Sequence, residues 1–197
     1  MAINKETIAV GMSGGVDSSV TAMLLKEQGY KVFGVIMKVW SGEIETGKIK
    51  INNSCYGPDE AEDIESAKKV AASIGVELYE IDLRADYRSE VIDYFRSEYA
   101  CGRTPNPCVK CNLKIKFGAL LEKTQEQGLK FDKFATGHYA RVMYDNNKQR
   151  YLLKRAKDKF KDQTYFMSFL SQEQLAKCVF PLGGFLKSEI KEKAKIL

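Results

Sequence analysis

The sequence predicts an α/β fold, an open parallel sheet with helices on both faces. Short apolar runs alternate with longer stretches whose apolar residues recur at helical spacing over the first 140 residues. Residues 30–39 are apolar almost throughout, which is typical of a strand covered on both sides. At the start of the chain an apolar run, a glycine pair and an amphipathic run follow one another, in the order of strand, turn and helix.

Each element follows from such a pattern. Four strands are expected in the sheet, at residues 7–12, 30–39, 76–82 and 131–136. Helices are expected between them, at residues 20–28, 58–74, 86–100 and 113–127. A long polar loop with glycines fills residues 41–57, and loops of that length are usually functional. Beyond the sheet we expect a small hairpin and helical segment, with the hairpin at 141–155 and helices at 162–177 and 188–197.

The composition is that of an ordinary globular domain. The chain has 197 residues, of which 44% are hydrophobic and 29% charged. No segment is apolar for long enough to span a membrane, and the N-terminus lacks the apolar core of a signal peptide. We therefore expect a cytoplasmic protein without membrane contact, and a monomer. The chain stops at Leu197 inside a predicted helix, which favours a fragment of a longer protein.

The positive charge is distributed unevenly. The net charge of +5 permits a polyanionic partner without requiring one. Eight basic residues fall between positions 141 and 161, namely Arg141, Lys148, Arg150, Lys154, Arg155, Lys157, Lys159 and Lys161. A solvated surface explains such a cluster most simply, and a contact surface for a nucleic-acid backbone is the alternative.

The segment from Ser13 to Ser19, Ser-Gly-Gly-Val-Asp-Ser-Ser, predicts a phosphate-binding loop. Paired glycines let the backbone approach an anion, and the N–H groups and dipole of the following helix favour negative charge. We expect Ser18 and Ser19 to add hydroxyl donors, and Asp17 to orient a magnesium ion or a serine. An ordinary strand-to-helix turn is the plain alternative.

Two common nucleotide motifs do not match this loop. It lacks the lysine of the Walker loop and the third glycine of the dinucleotide fingerprint. Two further segments, Met37-Lys38 and Gly137-His138, also follow predicted strands directly. Ligands of open parallel sheets bind beyond the carboxyl ends of the strands, so we expect one shared pocket there.

Five cysteines in a chain of cytoplasmic type argue against a disulfide framework. Cys108 and Cys111 form a C-x-x-C pair, for which zinc, an iron–sulfur cluster and redox chemistry remain open. Cys178 is expected to be a buried helical thiol, and Cys101 to be structural. The role of Cys55, in the long loop, is left open.

Taken together, the motifs resemble those of the tRNA-specific 2-thiouridylase (MnmA) family over nearly the whole chain. Besides the loop, they are Met37–Trp40, Gly102–Pro107, Cys111-Asn112 with Lys114–Phe117, Ala135–Arg141, Lys161–Phe166 and Phe180–Gly183. The resemblance implies a PP-loop ATPase fold of the adenine nucleotide alpha hydrolase type. It also implies a sulfurtransferase that adenylates the C2 carbonyl of the wobble uridine of tRNA, releases pyrophosphate and replaces oxygen with sulfur.

The resemblance assigns roles to individual positions. ATP, with Mg²⁺, is expected at Gly11, Met12, Ser13, Gly14, Gly15, Val16, Asp17, Ser18, Met37 and Gly137. Asp17 and Cys111 are the expected catalytic residues, and Cys111 would carry the sulfur as a persulfide. Contacts with tRNA are expected at Asn106, Pro107, Cys108, His138, Lys161, Asp162 and Gln163. The implied division is a catalytic domain at 1–140 and the start of a tRNA-contacting region at 141–197.

Cys108 departs from the family pattern, because better-known members carry aspartate at this position. Related thiouridylases hold a [4Fe–4S] cluster on a C-x-x-C pair and one distant cysteine, so Cys108 and Cys111 are also candidate cluster ligands. Cys111 cannot be a cluster ligand and a persulfide carrier at once. The sulfur donor, a persulfide carrier protein or sulfide, is not fixed by the sequence.

Simpler interpretations exist for two of these residues. His138, the only histidine, has either a passive role or one at the pocket. Asp162 is a candidate helix cap as well as a tRNA contact. Two other functions also remain open, an adenylating synthetase with an amine acceptor and a metal-stabilised RNA-binding module without catalysis.

Overall fold

The structure, a computed structural model, describes residues 6–42 and 56–196. Its centre is a sheet of five parallel strands, namely β1 (Thr7–Gly11), β2 (Lys31–Lys38), β3 (Leu78–Asp82), β4 (Lys133–Thr136) and β7 (Cys178–Val179). Their order in the sheet is β3-β2-β1-β4-β7. The predicted open parallel sheet and its first four strands are thereby confirmed.

Side chains of strand β1 point alternately to the two faces of the sheet. Helices cover both faces and bury these side chains. Ile8 and Val10 pack with residues of α1 (Val16–Glu27) and α2 (Glu60–Ile74). Ala9 packs on the opposite face, with residues of the helical segments 84–100 and 107–126. The first of these segments consists of α3 (Arg84–Tyr87), a π-helical stretch (Arg88–Ile92) and α4 (Asp93–Ala100).

The second segment, which we call the thiol helix, spans residues 107–126. It consists of α5 (Pro107–Cys111), π-helical turns (Asn112–Ala119) and α6 (Leu120–Glu126). The predicted start at residue 113 is therefore wrong by six positions. Pro107 is the first helical residue, and the Asn106 side chain caps the helix by accepting a hydrogen bond from the Val109 N–H at 3.1 Å. Both cysteines of the C-x-x-C pair consequently lie in the first turns of this helix.

The C-terminal third contains the predicted hairpin, formed by β5 (Ala140–Asp145) and β6 (Arg150–Arg155). The helix expected at 162–177 is instead a 3-10 turn (Thr164–Met167) followed by α7 (Gln172–Lys177), which begins at a capping box. A second 3-10 turn (Pro181–Gly184), α8 (Lys187–Lys193) and a third 3-10 turn (Ala194–Ile196) complete the chain.

Cys178 is buried as expected, but it lies in the edge strand β7 and not in a helix. Its pairing with Phe134 of β4 provides this strand, which a local helical pattern does not predict. Burial raises the pKa of the Cys178 thiol to about 12. The side chain is therefore an unreactive part of the core.

None of the helices in residues 6–42 and 56–196 has the length and apolarity needed to cross a membrane. Most of the predicted loop at 41–57, with Cys55, lies outside the described residues.

Candidate nucleotide and thiol site

The loop between β1 and α1 turns sharply at Gly14. Its φ of +72° lies in the left-handed region, and a Cβ there would stand 2.6 Å from the carbonyl oxygen of Asp63 in α2. Gly15 then provides the N-cap of α1. Since the first turn of a helix leaves N–H groups without intrahelical partners, this loop presents main-chain donors to an anion.

The serine hydroxyls stabilise this loop from within. Ser18 and Ser19 both donate hydrogen bonds from Oγ to the carbonyl oxygen of Gly15, at 3.0 Å each. The Ser18 oxygen also accepts from the Ser13 N–H at 3.1 Å. In this arrangement both hydroxyls hold the loop in shape, and their role as anion donors stays a prediction.

The end of β4 lies against the start of α1. A Cβ at Gly137 would be 2.8 Å from the Asp17 carbonyl carbon and from the Ser18 nitrogen. Only glycine permits this approach without a shift of the backbone. It brings Thr136, Gly137 and His138 beside the phosphate loop, where the sequence predicted a shared pocket.

A cleft of about 170 Å³ opens at this point, beyond the carboxyl ends of β1, β2 and β4. It is lined by Gly11, Met12, Ser13, Asp17, Ser18, Val35, Met37, Lys116, Leu120, Phe134, Thr136, Gly137, His138 and Gln163. Seven of the ten residues assigned to ATP are among them, together with two assigned to tRNA. The other three, Gly14, Gly15 and Val16, form the loop itself.

Asp17 connects three distant parts of the chain. Its carboxylate accepts hydrogen bonds from the Lys187 ammonium at 2.6 and 2.7 Å and from the Tyr139 hydroxyl at 3.0 Å. Burial and the neighbouring Asp17 charge raise the pKa of Tyr139, so this phenol remains a donor at neutral pH. In this structure the carboxylate of Asp17 is bound by a lysine from α8, and its contact with magnesium stays a prediction.

Lys187, Lys116 and Tyr139 were not identified from the sequence. Lys187 follows the Phe-Pro-Leu-Gly motif by four residues, and Tyr139 falls within the Ala135–Arg141 motif. Lys116 lies in the Lys114–Phe117 motif and lines the cleft from the thiol helix. The positions of these three residues near the phosphate loop depend on segments that are far apart along the chain, which the motifs alone do not show.

His138 lines the cleft as a neutral imidazole. Its Nδ1 lies 2.7 Å from the Thr136 hydroxyl, and its ring is close to those of Phe117 and Phe180. Burial disfavours the imidazolium, and the positive charge of Lys116 adds to this effect, which together lower the pKa of His138 to about 3. This geometry favours the pocket role of the only histidine over a passive one.

This lowered pKa predicts a loss of stability in acid. Below pH 6.5 the unfolded chain binds a proton at His138 that the folded chain does not bind until about pH 3. We expect the free energy of unfolding to fall by at most about 1.4 kcal/mol per pH unit across this range, relative to a His138→Gln variant. Urea unfolding at pH 7.5, 6.0 and 5.0 measures the difference, and a difference independent of pH would contradict the assignment.

The thiol helix places the C-x-x-C pair near the same cleft. Lys116 and Leu120 of this helix line the cleft, and Cys111 precedes Lys116 by five residues, about 8 Å or less along the axis. Cys111 is buried, with 7% of its surface exposed, whereas Cys108 is exposed. No disulfide joins any two of the four described cysteines.

Asn106 uses both ends of its amide inside the protein. Its oxygen caps the thiol helix, and its Nδ2 donates to the Tyr165 hydroxyl at 3.0 Å. Its backbone N–H donates to the Tyr94 hydroxyl at 3.3 Å. Asn106 therefore positions the start of the thiol helix. Its contact with tRNA, like that of Pro107, stays a prediction.

The three residues of the Lys161–Gln163 segment differ in their contacts. Gln163 joins Tyr139 through two hydrogen bonds of 2.9 Å, one from its backbone N–H and one to its side-chain oxygen. Asp162 accepts from the Ala156 N–H at 2.8 Å and from the Thr164 hydroxyl at 2.7 Å, and the N-cap of the following turn is Gln163. The predicted cap at Asp162 is therefore wrong. Lys161 is exposed.

The described residues lack a ready-made metal site. They contain no group of three or more His, Cys, Asp or Glu side chains that could hold a metal ion. A [4Fe–4S] cluster needs more thiolates than the two of the C-x-x-C pair, so residues 6–42 and 56–196 do not fit this group alone. Magnesium is commonly held by one or two carboxylates and substrate phosphates, and Asp17 is the carboxylate of the loop.

The chain is similar to known proteins over nearly its whole length. The model of a family described as tRNA methyl transferase HUP domain matches residues 6–197. The chain is 48% identical over 188 residues to the tRNA-specific 2-thiouridylase MnmA of Endomicrobium trichonymphae, covering 95% of the chain and 52% of that protein. It is 49% identical over 190 residues to the MnmA of Heliobacterium modesticaldum, covering 96% and 47%. The chain thus spans about half the length of these curated relatives.

A solved structure has the same fold. The U34-tRNA thiolase NcsA from Methanococcus maripaludis, with its [4Fe-4S] cluster, superimposes with a TM-score of 0.55. The match covers 98% of this chain and 57% of that one, at 21% identity. At this identity the likeness shows the fold alone.

Proposed function

The chain belongs to the family of tRNA methyl transferase HUP domains, and on this premise we propose that it is the catalytic part of a tRNA 2-thiouridylase. The observation that carries the proposal is the position of the thiol helix. One helix bears the C-x-x-C pair at its start and contributes Lys116 and Leu120 to the cleft at the phosphate loop.

In the first step, ATP binds with its phosphates at the loop of residues 13–19 and the start of α1. The uridine O2 attacks the α-phosphorus, and the bond to pyrophosphate breaks. Main-chain N–H groups of the loop stabilise the charge that develops on the phosphate oxygens. Asp17 holds the Lys187 ammonium beside this loop, where it also balances phosphate charge.

In the second step, a sulfur nucleophile attacks C2 of the adenylated uridine and AMP leaves. The described residues support Cys111 as the sulfur carrier, its terminal persulfide sulfur being the attacking atom. A second thiol then attacks the Sγ of Cys111, and the bond between Sγ and the outer sulfur breaks. The outer sulfur stays on C2 as 2-thiouridine, and the two thiols are left as a disulfide. A persulfide donor protein supplies the outer sulfur by transfer to the Cys111 thiolate. If sulfide is the source instead, it attacks C2 directly and Cys111 carries no persulfide.

The tRNA is proposed to contact the region of residues 141–197 and the face around Pro107, Cys108 and His138. All eight basic residues named between positions 141 and 161 are exposed. Residues 1–140 would then form the ATP-binding domain. The edge strand β7 of its sheet belongs to the region of residues 141–197. A tRNA substrate also implies a cytoplasmic protein, which we propose to be a monomer.

The alternative functions are less well supported. An amine-accepting synthetase uses a similar loop but has no need for a C-x-x-C pair beside the cleft. A binding module without catalysis has no need for the ion pair of Asp17 with Lys187 at the phosphate loop. Relatives of about half identity that are named 2-thiouridylases favour the sulfurtransferase.

The full-length protein tests this proposal directly. With tRNA, ATP and a sulfur donor we expect AMP, pyrophosphate and 2-thiouridine in equal amounts, the last measured by mass spectrometry of digested tRNA. Iron and acid-labile sulfide are measured on the same anaerobic preparation. AMP formation that needs an amino acid or amine in place of tRNA would contradict the proposal.

A further inference from the structure

Phe160 stands out on the surface of the protein. Its side chain is 99% exposed, the highest value among the exposed large hydrophobic residues. A phenylalanine in this state adds nothing to the core, although burial of so large an apolar side chain is favourable. Its position therefore requires a reason other than folding of this domain.

The turn that carries Phe160 is well anchored. The Asp158 carboxylate accepts hydrogen bonds from the Phe160 N–H at 3.0 Å and from the Lys187 N–H at 2.9 Å. The Lys161 N–H donates to the Asp158 carbonyl at 3.2 Å. The backbone at Phe160 is thus fixed to the start of α8, whose Lys187 contacts the phosphate loop.

The charges beside Phe160 favour an anionic partner. Lys159 and Lys161 flank it, both are exposed, and neither forms an ion pair within the described part of the chain. Lys157, by contrast, is paired with Glu189 at 3.2 Å. A ring between two unpaired ammonium groups matches the needs of a single-stranded nucleic acid, with a base for the ring and phosphates for the lysines.

The turn also lies close to the cleft. Gln163 lines the cleft, and it follows Phe160 by three residues, which span at most about 11 Å. A nucleotide next to the one whose base enters the cleft is within reach of the ring at this distance.

We propose that Phe160, with Lys159 and Lys161, is a stacking site for an unpaired base that flanks the modified uridine. This inference rests on the proposed function, since it takes the substrate to be RNA. Stacking on an aromatic ring does not depend on base identity, so the site would hold the strand in register and leave the choice of uridine to the cleft.

The test uses the full-length protein and a fluorescent anticodon stem–loop RNA, with anisotropy measured at several salt concentrations. Phe160→Ala is expected to weaken binding by about 5- to 100-fold, and Phe160→Trp to restore it. Phe160→Leu, which keeps an apolar side chain without a π face, is expected to bind as weakly as the alanine variant. Lys159→Gln should reduce the slope of log affinity against log salt concentration by about 0.7–1. Lys130→Gln should not, because Lys130 precedes β4, at the end of the strands opposite the cleft.

Unchanged RNA affinity of Phe160→Ala, beside a wild-type protein that binds, would overturn the inference alone. If this variant also had a lower unfolding temperature or a changed oligomeric state, the ring would pack against protein and not against a base. If the unaltered protein did not bind the RNA at all, the proposed function would fail as well, so the two failures are distinguishable.

Discussion

Asp17→Ala is expected to reduce ATP-dependent AMP formation by about 10²- to 10³-fold, the scale of losing one preorganised electrostatic group. The Asp17 carboxylate is the contact through which α1 holds Lys187 and Tyr139, which lie 170 and 122 residues away. Without it, the ammonium beside the phosphate loop loses the partner that fixes its position. The measurement is release of AMP and pyrophosphate by the full-length protein with tRNA and ATP.

A double-mutant cycle tests whether Asp17 acts through Lys187. If the ion pair is the functional unit, Lys187→Ala will have an effect of similar size, and the double variant will be little worse than either single variant. Asp17→Asn keeps the shape of the side chain and a hydrogen bond to Tyr139, so it separates loss of charge from loss of contact. AMP formation within about threefold of wild type in folded Asp17→Ala would contradict a catalytic role, since that is under 1 kcal/mol.

Local sequence patterns predicted the parts of the fold that depend on neighbours in the chain. The first four strands and the phosphate loop were found because apolar runs and glycines mark them directly. The start of the thiol helix was missed, although Asn106 and Pro107 are typical N-cap and first-turn residues. A proline breaks a helix in its interior but is tolerated in the first turn, which is the position of Pro107.

Long-range pairing explains the remaining differences. Strand β7 has two residues, and it exists because Cys178 and Val179 pair with β4, more than forty residues earlier. In the same way, the partner of Asp17 is set by the docking of α8 on α1. Single-sequence patterns report periodicity within a segment and do not report which segments meet. The carboxyl-edge rule for parallel sheets was the exception, because it predicted that residues near 13, 37 and 137 share a cleft.

Cys111→Ser is expected to abolish 2-thiouridine formation, by at least about 10²-fold, since a serine hydroxyl can neither form a persulfide nor replace an activated sulfur nucleophile. AMP formation should persist within about threefold, because the Cys111 side chain does not line the cleft at the phosphate loop. Mass spectrometry of digested tRNA measures the thiolation, and AMP release measures the adenylation on the same samples.

Cys101→Ser is the matched control, because Cys101 is an exposed thiol at the end of α4 and outside the C-x-x-C pair. It should retain full thiolation.

Cys108→Ser distinguishes the two roles left open for the pair. If Cys111 carries a persulfide alone, Cys108→Ser retains adenylation and at least part of the thiolation. If the two thiols are both ligands of an iron–sulfur cluster, both variants lose thiolation together with iron and acid-labile sulfide. Full thiolation by Cys111→Ser would rule out both roles, and sulfur would then have to reach the adenylated uridine without any thiol of the helix that borders the cleft.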